Sequence, residues 1–376
     1  MRTNPDVLII GGGLAGLAGA LHLSKKGLQV TLIEKSAYPR HKVCGEYISN
    51  EILPYLQWLG LDISELQPTT ISNFEFSAQN GKTAKTKLPL GGFGISRFAL
   101  DHFLYEKALQ NGCVVITENV NDVSFENDFF TVKTSQQVLT SKIVLGAYGK
   151  RSNIDQVLDR NFIAKKSPWL AVKGHYYGQF DNSLVALHNF QGGYCGVSVV
   201  EKNIINICYL ADYETFKKYK NIDDYQKAVV YKNKNLKAVF ENASPIFDKP
   251  LTISQISFDK KNPVENHILM IGDTAGLIHP MCGNGMAMAV HSAKIASELV
   301  LDFYSGKITS HTLLEKKYKQ EWEKHFSRRL FMGRILAKAL THKTFTHLMT
   351  AAAASMPFLL STIIKQTHGS PITINS

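Results

Sequence analysis

The sequence predicts an α/β fold: a Rossmann-type domain opening the chain, an antiparallel β-sheet inserted into it, and a helical C-terminal region. Three observations carry this prediction. A glycine cluster, Gly11-x-Gly13-x-x-Gly16, stands between an apolar run and a helical pattern near the start. A block of alternating strands fills roughly 168–258, and a stretch free of Asp and Glu runs from Lys324 to Ser376.

Asp6–Ile10 is a short apolar run that stops at glycines, the pattern of a strand buried on both faces. Leu14, Leu17, Leu21 and Ser24 then recur at helical spacing until Gly27 ends the helix. Gln29–Glu34 is a second buried strand and completes a βαβ opening. A helix is predicted around Ile52–Leu59, polar strand-like sequence over 65–95, and an amphipathic helix over Arg97–Gln110. Val114–Thr117 and Ser141–Leu145 extend the opening sheet, with a hairpin at Val123–Lys133 between them. The inserted block supplies Leu170–Tyr177, Leu184–Phe190, Tyr194–Val199, Ile204–Leu210 and Ile253–Phe258, interrupted by a Lys-rich helical piece near 213–240. His267–Ile271 returns to the buried sheet, a helix begins near Gly285, and the chain after about 310 reads as helix.

Composition narrows the function classes. With 44% hydrophobic and 19% charged residues the chain can bury a sizeable core, which excludes disorder as its main state. The five cysteines (Cys44, Cys113, Cys195, Cys208 and Cys282) have no metal-ligand spacing, so no metal site and reduced thiols are expected. Val7 is not preceded by a signal-peptide pattern, and the longest uncharged stretch, Leu348–Ile364, is interrupted by Pro357, so a cytoplasmic protein is expected. The net charge of +11 is concentrated at one end. Lys324, Arg328, Arg329, Arg334, Lys338, Lys343 and Lys365 stand there without an acid, beside Phe331, Met332, Ile335, Leu336, Leu340, Phe345, Leu348 and Met349 at helical spacing. That pattern suits a basic amphipathic helix, peripheral on a membrane or against an acidic partner, or a helix packed on the protein body with its charges solvated. No recognition motif accompanies the charge, so nucleic acid is not an expected partner.

Two motifs carry chemistry. In the first, Gly11 permits a tight turn, Gly13 lets a pyrophosphate approach the backbone, and Gly16 lets helix and strand pack closely. Ala15 lies in the same turn, where the helix N-terminus offers N–H groups to phosphate. Glu34, about 20 residues on, stands where an acid receives ribose hydroxyls, and Lys35 beside it either reaches the ribose or adenine edge or is a solvated lysine. The second motif is Gly272-Asp273, running on to His279-Pro280-Met281-Cys282-Gly283-Asn284-Gly285-Met286. It opens a helix whose N-terminal dipole suits a group that gains negative charge.

Together these segments resemble the FAD-dependent oxidoreductases of the p-hydroxybenzoate hydroxylase and geranylgeranyl reductase superfamily, over most of residues 5–300. The three glycines with Ala20, Gly27 and Glu34 match its FAD fingerprint, and Ser96-Arg97-Phe98-x-Leu100-Asp101 matches its central arginine segment. Gly272-Asp273 and Pro280 match the motif that follows its inserted domain. The resemblance implies an FAD-binding domain from residues 1–64, 96–165 and 260–310, a substrate domain from 65–95 and 166–259, and a basic helical region over 311–376. It also implies Arg97 on the FAD pyrophosphate, the Val120 backbone at adenine and Asp273 on the ribityl chain. Gly283, Asn284 and Gly285 would lie along the isoalloxazine ring, with Pro280 and Met286 also at the cofactor.

Three departures qualify the match. Gly146-Ala147-Tyr148-Gly149-Lys150-Arg151-Ser152 carries Tyr148 where the hydroxylases have an acid. Pro39-Arg40-His41-Lys42-Val43-Cys44-Gly45-Glu46 looks like the reductase and halogenase branches. Gly193–Val199 lacks the tryptophan and proline of the reductases' Tyr-x-Trp-x-Phe-Pro, and the halogenases' Trp-x-Trp-x-Ile-Pro is missing. Cys44, Glu46 and His279 are the catalytic candidates. Cys44 and Glu46 either gate the flavin and serve as acid, a raised glutamate pKa suiting proton donation, or line a loop without chemistry. His279 either bonds substrate or flavin or is a satisfied structural histidine. The implied activity is a monooxygenase that hydroxylates a hydrophobic aromatic or polyketide-like substrate through a flavin C4a-hydroperoxide, with NAD(P)H as transient reductant. An ene reductase acting on C=C bonds of an isoprenoid or other lipid is the alternative, and halogenation the third reading.

Overall fold

In the computed structural model, which describes residues 4–341 and 357–374, Val7–Ile10 lies inside a six-stranded sheet, and its four residues are buried. Val30–Glu34 and Ile143–Gly146 flank it in parallel, with Val7 opposite Val30 and Ile143. Val114–Thr117 and Ile268–Met270 add parallel strands outside these, and Val264–Glu265 closes one edge antiparallel. The helices Leu14–Lys25, Arg97–Gln110 and Gly285–Tyr304 pack together beside this sheet. A small antiparallel sheet of Val120–Glu126, Phe129–Thr134 and Val138–Ser141 carries the crossover back to Ile143–Gly146. The predicted strand Ser141–Leu145 is therefore divided between two sheets. Ser141 Oγ donates to Asp6 O at 2.6 Å, pinning the chain where it passes from one to the other.

Two glycines fix how the first strand meets the first helix. Gly11 has φ +106°, and a Cβ there would lie 2.4 Å from Ala147 O. A Cβ on Gly16 would lie 2.0 Å from Gly11 O, so the helix can sit this close only without a side chain. Gly16→Ala is expected to cost roughly 3 kcal/mol or more, because the atom it strikes is backbone and cannot turn aside. Denaturant unfolding checks this; an unchanged midpoint would show that the helix can move away freely.

The second sheet runs in the order Ala243–Pro245, Trp169–Gly178, Ile204–Asp212, Gly193–Val200, Leu184–Phe190, Thr69–Ser77, Thr83–Gly94 and Tyr47–Ser49, with Leu251–Ser254 also on Trp169–Gly178. It is not wholly antiparallel, as the sequence suggested: Leu184–Phe190 pairs with Thr69–Ser77 in parallel. That one pair joins the two chain segments that build the sheet. Tyr47–Ser49, where the sequence predicts no strand, is its edge strand. The predicted strand Ile253–Phe258 is instead Leu251–Ser254, ending at Gln255 with φ +59°. One face of the sheet packs Val172, Cys195 and Ile207 against Tyr225 and Leu236 of short helices; Ala171, Leu187, Tyr194 and Leu210 belong to a separate cluster on the opposite side.

The long helix His311–Thr341 buries Leu314, Tyr318, Trp322, Phe326 and Leu330 in the core of the first domain, at about 1.5–3 kcal/mol per side chain. Tyr318 Oη donates to Met270 O in the parallel sheet. This half of the basic region is thus a packed helix. Its stripe residues Phe331 and Ile335 remain exposed, while Lys343, Phe345, Leu348 and Met349 lie outside the described residues. The last helix, Pro357–Thr367, rests on strand Thr83–Gly94. Among the described residues no helix is long and apolar enough to cross a membrane.

Candidate active site

A cavity of 830 Å³ opens where the parallel strands end, the position at which such sheets place ligands. Gly11, Gly13, Ala15, Glu34, Lys35, Arg97, Asp273, Pro280, Gly283, Gly285 and Met286 all line it, as do Cys44 and Glu46. Its basic lining residues are Lys35, Arg40, Lys42, Arg97, Lys150 and Arg151, against the acids Glu34, Glu46 and Asp273. An anionic ligand is therefore favoured at this end.

The cradle is built around Gly13. A Cβ there would point at Arg97 Nη2 and Lys42 Nζ, 3.7 and 3.9 Å away. The helix beginning at Leu14 has no side-chain cap and no acid in its first turn, so its free N–H groups face the same space. Asp101 holds both cations: Arg97 Nε and Nη2 donate to its two oxygens at 2.7 Å, and Lys42 Nζ reaches Oδ2 at 2.8 Å. Burial would raise the Asp101 pKa, but the two cations outweigh it and hold the group below its usual range. Two positive groups share one carboxylate, leaving a fixed positive excess for a diphosphate. Glu34 Oε2 accepts from Gly12 N at 2.7 Å, while Oε1 accepts from Ser36 N and pairs with Arg40 at 2.7 Å. The residues present fit FAD: an open glycine floor, a paired-cation wall and an uncapped helix terminus.

Glu46 departs from its expected role. Its Oε1 accepts from Lys173 Nζ at 2.5 Å and from Arg97 N at 2.7 Å, and its Oε2 lies 2.7 Å from His175 Nε2. Burial pushes its pKa up, but the Lys173 charge and the His175 hydrogen bond overcome that and lower it. A carboxylate held in the charged form is a poor proton donor, which corrects the expectation of a raised pKa. What Glu46 does instead is fasten a loop. Lys173 Nζ also donates to Lys42 O at 3.1 Å, and Asn206 Nδ2 donates to Gly45 O at 2.8 Å. Strands of the second sheet thus grip residues 42–46 against the cofactor cradle. Cys44 lines the cavity on this gripped loop, its Sγ 3.6 Å from Met286 Sδ.

Four predicted site residues do not line the cavity. Gly16 lies beneath it, serving helix–strand contact. The Val120 carbonyl accepts from Asn153 Nδ2 at 2.8 Å. Asn284 is buried, its amide turned to Glu51 Oε1 at 3.2 Å and to Arg329 at 3.3 Å. His279 is buried with Nδ1 3.1 Å from Tyr194 Oη, and burial lowers its pKa to about 4. Sequence reasoning missed Lys42 and Lys173 altogether. His175 faces Glu46 and Tyr176 turns into the opposite cluster, as strand alternation requires, while Tyr177 is exposed.

The rest of the lining comes largely from the second sheet and the C-terminal helix. Phe74, Phe76, Leu88, Val185, Leu187 and Ile253 line this part of the cavity together with Leu360 and Ile364, and Leu88, Phe74 and Val185 pack in one cluster with Ile364. Here no Asp, Glu, Lys or Arg contributes among the described residues.

The fold and this site define an FAD-dependent oxidoreductase. The chain belongs to the FAD binding domain family, whose sequence model matches residues 4–329. Digeranylgeranylglycerophospholipid reductase of Methanococcus vannielii is 23% identical, covering 94% of this chain and 90% of its own. Ubiquinone hydroxylase UbiM of Neisseria meningitidis is also 23% identical, covering 98% and 86%. Among solved structures, flavin-dependent brominase Bmp2 aligns with a TM-score of 0.79 at 19% identity, over 97% of this chain and 93% of that one. Identities this even across three reaction types do not choose among them, so the choice rests on the cavity.

Proposed function

We propose that this flavoenzyme reduces carbon–carbon double bonds in a hydrophobic, isoprenoid-like chain, in preference to the hydroxylation that the sequence alone placed first. The observation that carries this is the uncharged, largely aliphatic wall of the cavity. Its titratable groups are neutral near pH 7: burial raises the Tyr194 and Tyr209 hydroxyls well above their usual range and lowers His368 to about 4. A hydroxylase acting on a phenolic ring gains from a base that ionises the phenol, and this wall offers none among the described residues. A neutral apolar chain suits it better.

FAD, when bound in its reduced form, supplies a hydride. The chain's own part is to hold the alkene, exclude water and deliver the matching proton to the second carbon, for which Cys44 Sγ is the group at hand. The sulfur then regains its proton from solvent. In this reading NAD(P)H visits the same cavity as reductant.

Chemically reduced enzyme, mixed with a geranylgeranyl lipid in the absence of oxygen, should regain the absorbance of oxidised flavin. Cys44→Ala is expected to slow that step about 100-fold with FAD content unchanged, in line with the loss of a general acid. If reduced flavin stays reduced across a panel of polyprenyl compounds, the reading fails.

A further inference from the structure

A second cavity, of 590 Å³, lies beside the first and has no part in the chemistry above. Tyr47, Leu88, Ile364 and His368 line both, so the two spaces share a wall. The character changes across that wall. The second cleft is lined by Lys324, Arg328, Arg329 and Lys365, and no carboxylate lines it among the described residues. Arg329 is committed to the buried Glu51 at 3.4 Å, and Lys324 to Glu321 at 3.0 Å. Arg328 donates to the neutral Gln366 amide oxygen at 2.6 Å, which leaves its charge uncompensated there. At the wall itself, His368 Nδ1 lies 3.1 Å from Ile364 O, and its buried Nε2 has no hydrogen-bond partner. Since a carbonyl only accepts, Nδ1 carries the proton, and on this neutral ring Nε2 is an acceptor that takes a donor O–H such as water, so the cleft's pull on an anion comes from its cations. An apolar cavity that passes into a cationic cleft is complementary to an amphiphile, chain in one and anion in the other.

We propose that this cleft binds the phosphate group of an amphiphilic substrate whose chain lies in the adjoining apolar cavity. The chain half of this rests on the double-bond reductase reading; the phosphate half stands on the cleft alone.

The test uses the full-length, FAD-loaded protein, so that the dinucleotide cradle is filled. Titration calorimetry with inorganic pyrophosphate should show one site, weakened at least tenfold in Arg328→Gln/Lys365→Gln and by raised salt. Both side chains are exposed, so the double variant should fold. A polyprenyl monophosphate should bind at least tenfold tighter than its parent alcohol, followed by the flavin spectrum. The double variant should erase that preference and leave the alcohol unaffected. Pyrophosphate that does not bind, or binds wild type and variant alike, overturns the proposal. Pyrophosphate lost in the variant without any preference for the monophosphate over the alcohol would mean a free-phosphate site, overturning the substrate assignment. Pyrophosphate binding with neither polyprenyl compound reaching the flavin would refute the reductase reading and leave the cleft standing.

Discussion

Exchanging Arg97 for methionine is expected to give folded protein that loses FAD. The guanidinium is buried, held at 2.7 Å by both oxygens of Asp101, and stands at the open edge of Gly13. Removing it takes away a planar donor fork and one of the two cations of the cradle proposed to hold the FAD diphosphate. Two charge-assisted hydrogen bonds at about 1.5–3 kcal/mol each amount to a loss of roughly 100-fold or more in FAD affinity. Asp101 keeps Lys42 at 2.8 Å, so the carboxylate is not left unpaired. Denaturant unfolding of the methionine variant as apoprotein should therefore stay close to wild type while the affinity loss persists, which separates folding from binding. Fluorescence titration of apoprotein with FAD is the measurement, and unchanged affinity in the single variant would remove Arg97 from the cradle.

The second large effect belongs to Glu46. Glu46→Gln keeps the shape of the side chain but strands a fully buried Lys173 ammonium, a change that typically costs about 3–5 kcal/mol. Replacing both partners, as Glu46→Gln/Lys173→Met, should recover much of that, because no buried charge is then left without a partner. The same group sets a pH dependence. Its folded pKa is lowered, so its contribution to stability is complete above the unfolded glutamate value of about 4.3 and fades as pH falls through the folded value. Wild type should therefore lose stability on acidification below about pH 4.3 more steeply than the glutamine variant does. Parallel acid profiles of the two proteins would show that Glu46 is not the linked group.

The cradle was legible because its logic is local. A positive φ at Gly11, a close contact at Gly16 and an acid closing the next strand are properties of neighbouring residues. The grip on residues 42–46 was not. Glu46 meets Lys173 and His175 across separations of 127 and 129 residues, and alternation tells which side chains share a face without telling which loop that face meets. Asn284 illustrates the same limit. The resemblance places it along the isoalloxazine ring, yet its amide goes to Glu51, 233 residues away in sequence. The parallel pairing of Leu184–Phe190 with Thr69–Ser77 leaves no turn signal, since parallel strands are joined by distant crossovers and not by hairpins. Tyr47–Ser49 is three residues long, too short for any period to show.

Product mass decides the central claim most directly. Enzyme supplied with NAD(P)H, a polyprenyl lipid and air should yield a product that has gained two hydrogens at each reduced bond, with the same product formed anaerobically from chemically reduced enzyme. A product that gains an oxygen atom, and forms only when oxygen is present, would contradict double-bond reduction and establish hydroxylation in its place.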